Sequence, residues 1–282
     1  MMNDTSLKAK IRNMARQKKL PGQVVLQNYL FERFMFRLSK TEYKDKFVVK
    51  GGTLVSSILG LSNRATMDLD ATLKNLPLTK ETITAAFNAI CSVDAKDGIE
   101  FTFKGIEAIR DDDVYGGFAV SFVAHFGKIK APLSMDVSTG DVMTPHAELR
   151  RFSMLFDEEV FFLWSYNIET VLGEKIETIL RRGTFSTRPR DFYDVYALVA
   201  AVPYDDELLK RALQATAAHR GSLDKIKNTR MILTDIAGSQ ELRRLWKNYQ
   251  DQFLYAAAID YDAIIGVLIK IIPPILTRNK EG

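Results

Sequence analysis

Asp68 and Asp70 are separated by a single residue in the first third of the chain. Over residues 67–73 apolar and polar side chains alternate with the period of a β-strand, so the two carboxylates leave the same face. Carboxylates placed this closely repel each other unless a cation lies between them. Mg²⁺ prefers oxygen ligands and leaves room for phosphate oxygens. The spacing therefore predicts a site for one or two Mg²⁺ ions, with a solvated strand face as the alternative.

Two glycines precede these aspartates. Gly51 and Gly52 follow a short β-prone run and open an apolar run long enough for two helical turns. Glycines at a helix start expose backbone N–H groups and let a phosphate approach closely. With Thr53 they predict a phosphate-binding turn, and Arg64 and Thr66 are candidate nucleotide contacts. A simple turn is the alternative for the glycines alone, but both features together describe a metal–nucleotide site.

The surrounding elements are predicted from periodicity and turn residues. A third carboxylate, Asp136, lies on a predicted strand and faces away from its apolar neighbours. The sequence Asp111-Asp112-Asp113 is predicted as a loop, because consecutive residues cannot all face one ion. Predicted helices cover 6–19, 24–39, 54–61, 79–93 with Thr79 as a candidate N-cap, and 168–182. Predicted strands cover 47–49, 67–73, 99–104 with a bend at Gly105, 117–126, 133–137 and 161–164, and residues 143–160 are expected to be turns.

The composition becomes helical in the second half, which predicts two domains, 1–155 and 156–282. In the helix over 168–182, Lys175 falls on the apolar stripe, where an ammonium group must either snorkel or meet an anion. A nucleotide phosphate is the preferred partner for it.

Asp191 and Asp194 begin the next predicted helix, in the sequence Arg188-Pro189-Arg190-Asp191-Phe192-Tyr193-Asp194. Three residues apart, they share one helix face. Capping, or pairing with nearby arginines, is the alternative to a catalytic role.

The overall composition is that of an ordinary globular protein of 282 residues, with 46% hydrophobic and 26% charged residues. No apolar run reaches the roughly 18 residues of a membrane span, and the N-terminus lacks the apolar centre of a signal peptide. Cys91 is the only cysteine, which excludes an internal disulfide. We therefore expect a cytoplasmic protein without a membrane partner.

The net charge is +4, and residues 1–50 carry twelve Lys or Arg against four Asp or Glu. This excess is compatible with an RNA-facing surface and also with a solvated helix face.

Two sets of residues resemble a known family. Gly-Gly-Thr followed by Asp-x-Asp resembles the nucleotidyltransferase signature of the DNA polymerase β superfamily. The longer sequences Phe-Val-Val-Lys-Gly-Gly-Thr, Arg-x-Thr-x-Asp-Leu-Asp and Arg-x-Arg-Asp-x-x-Asp resemble the AbiEii-type (AbiEii/AbiGii) toxins of bacterial toxin–antitoxin and abortive-infection systems. That family more often has serine where this chain has Thr66, which keeps the hydroxyl.

The resemblance implies an α+β fold, with a polymerase β-like mixed sheet and flanking helices followed by an α-helical C-terminal domain. It also implies Mg²⁺-dependent transfer of a nucleotidyl group from an NTP to RNA, at the tRNA 3′ end, which inhibits translation and is restrained by a cognate antitoxin. In the family a third carboxylate completes the metal site, and Asp136 occupies the matching place. Lys175 and one of Asp191 and Asp194 would be required for activity.

Three alternatives remain open. The acceptor of the nucleotidyl group could be a small molecule or a protein hydroxyl. Thr66 could itself be modified. The chain could also be a catalytically silent nucleic-acid-binding module, although its full set of carboxylates argues against this.

Overall fold

The computed structural model of the chain describes residues 3–109 and 116–272. The loop predicted at Asp111-Asp112-Asp113 lies outside these residues. None of the helices in the described part combines the length and apolar character that a bilayer crossing requires.

The described residues divide into two units. Unit 1 comprises the chain up to Asp141 together with Ala147–Tyr166, and unit 2 comprises Val142–His146 together with the chain from Asn167 onward. The domain boundary predicted between residues 155 and 156 stays a prediction.

A mixed sheet of seven strands is formed by the described residues of unit 1, in the order β3-β4-β5-β2-β1-β7-β6. The pairs β1–β7 and β2–β5 are parallel, and the other neighbours are antiparallel. The strands are β1 Phe47–Lys50, β2 Leu69–Leu73, β3 Glu100–Ile109, β4 Gly117–Phe126, β5 Ile129–Thr139, β6 Glu148–Ser153 and β7 Val160–Ser165.

Helices flank this sheet, and their ends follow from capping side chains. The side chain of Asn3 accepts a hydrogen bond from the backbone N–H of Ser6 at the start of α1, and Thr79 does the same for Thr82 at the start of α4. The predicted cap at Thr79 is thereby confirmed. The helices of unit 1 are α1 Asp4–Lys18, α2 Gly22–Leu38, α3 Gly51–Leu59 and α4 Lys80–Cys91.

Four phenylalanines from α2, α4, β3 and β4 form the centre of the core in unit 1. The ring of Phe34 stacks on Phe122 with centroids 4.3 Å apart and lies 5.3 Å from Phe87 and 5.5 Å from Phe101. All four side chains are buried. This cluster fixes α2 and α4 on the face of the sheet that they cover.

Several strand predictions are confirmed, and the prediction for one segment is wrong. The register of β3 against β4 shifts between Phe103 and Gly105, which is the predicted bend. The region before β7 was expected to be turns, but Glu148–Ser153 forms the edge strand β6. Its alternation is weak because Leu149 is exposed while Phe152 is buried, so the sequence shows no single apolar face.

The secondary structure of the described residues of unit 2 is helical. Helix α5 has the predicted bounds, and α6 begins with Pro189 in its first turn. Together with the mixed sheet of unit 1, this confirms the α+β fold class with a helical second half. The helices are α5 Ile168–Arg182, α6 Pro189–Ala201, α7 Asp206–His219, α8 Leu223–Ile226, α9 Thr229–Gly238, α10 Gln240–Gln252 and α11 Tyr261–Ile271.

Truncating the centre of the phenylalanine cluster tests the core of unit 1. We expect Phe34→Ala to lower the free energy of unfolding by about 3–5 kcal/mol, since it removes a buried ring and leaves a cavity. Phe162→Ala is the matched control, because Phe162 is half exposed on β7. Urea unfolding measures both variants, and equal losses would contradict the central place of Phe34.

Candidate active site

Charged side chains from β1, β2 and β5 lie in one row across the sheet. Lys50 on β1 is paired in register with Asp70 on β2, and Asp70 is paired with Asp136 on β5. Directly paired residues on neighbouring strands point to the same face. Asp68 lies just before β2, where the hydroxyl of Thr53 donates to its backbone carbonyl at 2.6 Å. The structure thus places Asp70 and Asp136 side by side on one face of the sheet, with Asp68 two residues before Asp70, and the metal site itself stays a prediction.

The environment of Asp70 disfavours its charged form. The pKa of Asp70 is raised to about 6 overall. Burial is the largest cause, the charges of Asp68 and Asp136 add to the rise, and the positive charge of Lys50 and a hydrogen bond from the backbone of Gly52 oppose it. The positive groups nearby therefore do not fully compensate the burial of this carboxylate and the repulsion from its two acidic neighbours.

The glycine pair makes room for Asp70. Gly51 has φ +64°, and a Cβ atom there would lie 2.0 Å from Oδ2 of Asp70. Lys50 is the N-cap of α3 but supplies no side-chain cap, and the backbone of Gly52 instead hydrogen-bonds to the Asp70 carboxylate. Asp70 therefore caps α3 from the neighbouring strand, which requires that position 51 carry no side chain.

Arg64 and Thr66, predicted as nucleotide contacts, are buried behind this turn. A Cβ atom on Gly52 would lie 2.5 Å from Oγ1 of Thr66 and 3.6 Å from Nη2 of Arg64. The hydroxyl of Thr66 accepts a hydrogen bond from the backbone N–H of Asp68 at 3.2 Å, and Arg64 donates to the carbonyl of Ala65. Both side chains thus support the backbone that carries the glycines and Asp68.

A lysine–aspartate pair beside the row is absent from the predicted set of site residues. Nζ of Lys50 lies 2.6 Å from Oδ2 of Asp141 and 2.8 Å from Oγ of Ser138. Burial raises the pKa of Asp141, but the charge of Lys50 and hydrogen bonds from Lys50, Ser138 and Tyr166 hold it below its ordinary value overall. Two signals were available in the sequence: Lys50 directly precedes the glycine pair, and Asp141 lies two residues beyond the strand that carries Asp136.

The candidate residues of unit 2 form a second cluster. Nζ of Lys175 on α5 lies 2.7 Å from Oδ2 of Asp194 and 3.0 Å from Oδ1 of Asp191. Asp194 is fully buried, and the other two side chains are each 13% exposed. The two aspartates share a face of α6, as predicted, and the anions that Lys175 meets in the structure are their carboxylates. The phosphate predicted as the partner of Lys175 stays a prediction.

The donor chemistry of the row in unit 1 suits a hard cation. Its acidic groups are carboxylates that repel one another, and Mg²⁺ is commonly bound through one or two carboxylates with substrate phosphates completing the shell. Within residues 3–109 and 116–272, no group of three His, Cys, Asp or Glu side chains is already arranged to hold a metal ion. A cation bound here would therefore draw on fewer than three of these carboxylates unless a side chain moves.

A glycine turn that opens a helix beside carboxylates on a mixed sheet defines the nucleotidyltransferase class. The sequence model of a family described as "Nucleotidyl transferase AbiEii toxin, Type IV TA system" matches residues 33–267. The chain therefore belongs to the AbiEii family of nucleotidyltransferase toxins. Membership implies a nucleotide as substrate and an antitoxin as partner.

Two solved structures resemble the chain at low identity. JHP933 from Helicobacter pylori is 17% identical, with 89% of this chain and 93% of that one covered and a TM-score of 0.48. An antigenic nucleotidyltransferase-like protein from Paracoccidioides brasiliensis is 16% identical, with 71% and 91% covered and a TM-score of 0.42. Both TM-scores lie below 0.5. None of the curated proteins compared with the chain matches it.

Substitution of Gly51 tests its contact with Asp70. Gly60 also has a positive φ, +82°, but a Cβ atom there would meet nothing within 4 Å. We expect Gly60→Ala to lower the free energy of unfolding by about 1–3 kcal/mol, because φ +82° with ψ +146° is a backbone conformation that only glycine adopts readily. Gly51→Ala should cost roughly 1–3 kcal/mol more, because it also displaces the Asp70 carboxylate. Urea unfolding of both variants measures the difference, and equal costs would refute the close contact.

The raised pKa of Asp70 predicts a pH-dependent stability. The folded protein binds this proton more tightly than the unfolded chain, whose pKa is 3.8, so the free energy of unfolding should fall as pH rises from about 4 to about 6. Asp70→Asn removes the effect. We expect the variant to match wild type below about pH 4 and to exceed it by at most roughly 3 kcal/mol at pH 7.

Urea unfolding in the presence of EDTA, across this pH range, measures that difference. A variant that is less stable than wild type at pH 7 would show that the charged carboxylate of Asp70 stabilises the fold.

Proposed function

We propose that this chain transfers a nucleotidyl group from an NTP to a hydroxyl of RNA, at the 3′ end of tRNA, and thereby inhibits translation until a cognate antitoxin intervenes. The observation that carries the proposal is the row of Lys50, Asp70 and Asp136 beside the glycine turn. An NTP and tRNA meet in the cytoplasm, where we expect the protein to act.

Asp68 and Asp70 are the proposed ligands of one or two Mg²⁺ ions, with Asp136 as the third carboxylate. When bound, Mg²⁺ would neutralise phosphate charge and orient the triphosphate for displacement of pyrophosphate. The mutual repulsion at Asp70 supports this assignment, because a cation would relieve it.

The phosphates are assigned to the first turn of α3. Backbone N–H groups at a helix start bind anions, and those of Gly51, Gly52 and Thr53 begin α3. Because the backbone of Gly52 is engaged by Asp70, Gly51 and Thr53 are the first candidates. Arg64 and Thr66, buried behind the turn, would support this backbone.

The acceptor hydroxyl must lose a proton as it attacks. Asp136 is the proposed base if the metal needs only two carboxylates, since its side chain is exposed on the same face. Lys175 is proposed to balance phosphate charge. Its ion pairs with Asp191 and Asp194 hold the ammonium in place, and one of these aspartates is proposed to share in the reaction.

RNA labelling tests the function. Purified protein, Mg²⁺, total RNA and each of four labelled NTPs are incubated, and the products are separated by size. We expect label on RNA of tRNA size. Asp68→Asn should lower the labelling rate by about 100-fold or more, because a metal ligand contributes several kcal/mol to the transition state. Lys175→Met should lower it by roughly 100- to 1000-fold.

Exposed residues supply matched controls. Glu100→Gln on β3 and Lys247→Met on α10, where Lys247 pairs with Asp251 in a solvated i,i+4 bridge, remove the same charges elsewhere. Both should label RNA as wild type does. Label on the protein itself would favour modification of Thr66 over an RNA acceptor. Full RNA labelling by Asp68→Asn would show that the site lies elsewhere.

A further inference from the structure

Phe185 is the most exposed of the large apolar residues that the structure describes. It lies in the turn between α5 and α6, residues 183–188, which we call the Phe185 loop. Phe185 is 88% exposed, and the next most exposed large apolar residue, Leu254, reaches 64%. A single exposed apolar side chain is common on protein surfaces, so its surroundings decide whether it has a role.

The Phe185 loop is held by hydrogen bonds at its ends. The backbone N–H of Ser186 donates to the carbonyl of Gly183 at 3.3 Å, and the N–H of Arg188 donates to Oγ of Ser186 at 3.4 Å. Ser186 itself is buried, and Pro189 starts α6 directly afterwards. The backbone therefore presents the Phe185 ring to solvent in a defined turn.

Arginines both precede and follow Phe185 in the sequence. Residues 181–190 contain four arginines and no acidic residue. Arg181 pairs with Glu177 at 2.8 Å, whereas in the part of the chain that the structure describes no carboxylate pairs with Arg182 or Arg188. Arg188 and Arg190 lie at the N-terminal end of α6, where cations oppose the helix dipole. Helix stability therefore does not account for Arg188, whereas an anionic ligand would favour a cation at this position.

We propose that the Phe185 loop binds a single strand of RNA, with a base stacked on the ring of Phe185 and the neighbouring phosphates contacted by Arg182, Arg188 and Arg190. An aromatic face with positive charge on either side is the combination that binds unpaired nucleotides without sequence preference. Arg190 directly precedes Asp191, so a strand held here lies beside the Lys175 cluster.

This inference rests on the proposed function, because it names the surface that receives the RNA acceptor. A single-stranded ligand is favoured over a duplex, since paired bases cannot leave their stack to meet an exposed ring. Arginines alone would bind both forms through phosphates.

Fluorescence anisotropy with a short labelled single-stranded RNA, and with the duplex of the same sequence, tests the proposal. Phe185→Ala should weaken single-strand binding by about 5- to 150-fold and leave duplex binding unchanged. Phe185→Trp should bind as tightly as wild type, whereas Phe185→Leu, which keeps an apolar side chain without an aromatic face, should resemble Phe185→Ala. Arg188→Gln should reduce the slope of log affinity against log salt by about 0.7.

Leu254→Ala is the matched control, an exposed apolar truncation elsewhere in unit 2, and it should bind RNA as wild type does. Phe185→Ala should keep the wild-type Tm, because the ring is exposed. Single-strand affinity that is unchanged in both Phe185→Ala and Phe185→Leu would overturn the inference, even where wild type labels RNA from NTP. Binding that depends on Phe185 in a protein that labels no RNA would support the inference and refute the proposed function.

Discussion

Repulsion among the carboxylates of Asp68, Asp70 and Asp136 is the constraint on which the site in unit 1 depends. A sheet that places two of them in register cannot relax this repulsion by turning one side chain to the other face. The protein offsets it with Lys50 on the next strand and with the helix start at Gly52, yet the pKa of Asp70 still rises to about 6. The buried phenylalanine cluster of unit 1 packs on the opposite face, since Phe122 is paired with Leu133, whose side chain points away from that of Asp136.

Two ionic clusters of unit 2 have different roles. One surrounds Glu177 and joins helices, and the other contains Lys175. Glu177, on α5, is fully buried and accepts hydrogen bonds from Arg181, Arg220 and Ser222, which joins α5 to the chain beyond α7. A Cβ atom on Gly173 would lie 3.0 Å from the backbone of α7, so the two helices approach closely. Because α5 is fixed in this way, Lys175 meets the aspartates of α6 from a defined position.

The sequence predicted the parts of this protein that depend on local pattern. The bounds of α5, the cap at Thr79 and the common face of Asp191 and Asp194 follow from spacings within a few residues. The contact of Lys50 with Asp141 joins residues that are 91 positions apart, and that of Arg37 with Asp97 joins residues 60 apart. A periodic sequence pattern does not predict such long-range contacts, because they depend on the order and register of the strands.

The position of Asp70 links the two halves of the proposed chemistry. Its carboxylate both caps the first turn of α3 and belongs to the proposed metal site. If Asp70 turned an oxygen toward a cation, it would give up part of its hold on the Gly52 amide, which would then become available to a phosphate as well. The same movement relieves the repulsion from Asp68 and Asp136. In the proposed site, cation and triphosphate would thus favour the same rearrangement of one side chain, and this would couple their binding through Asp70.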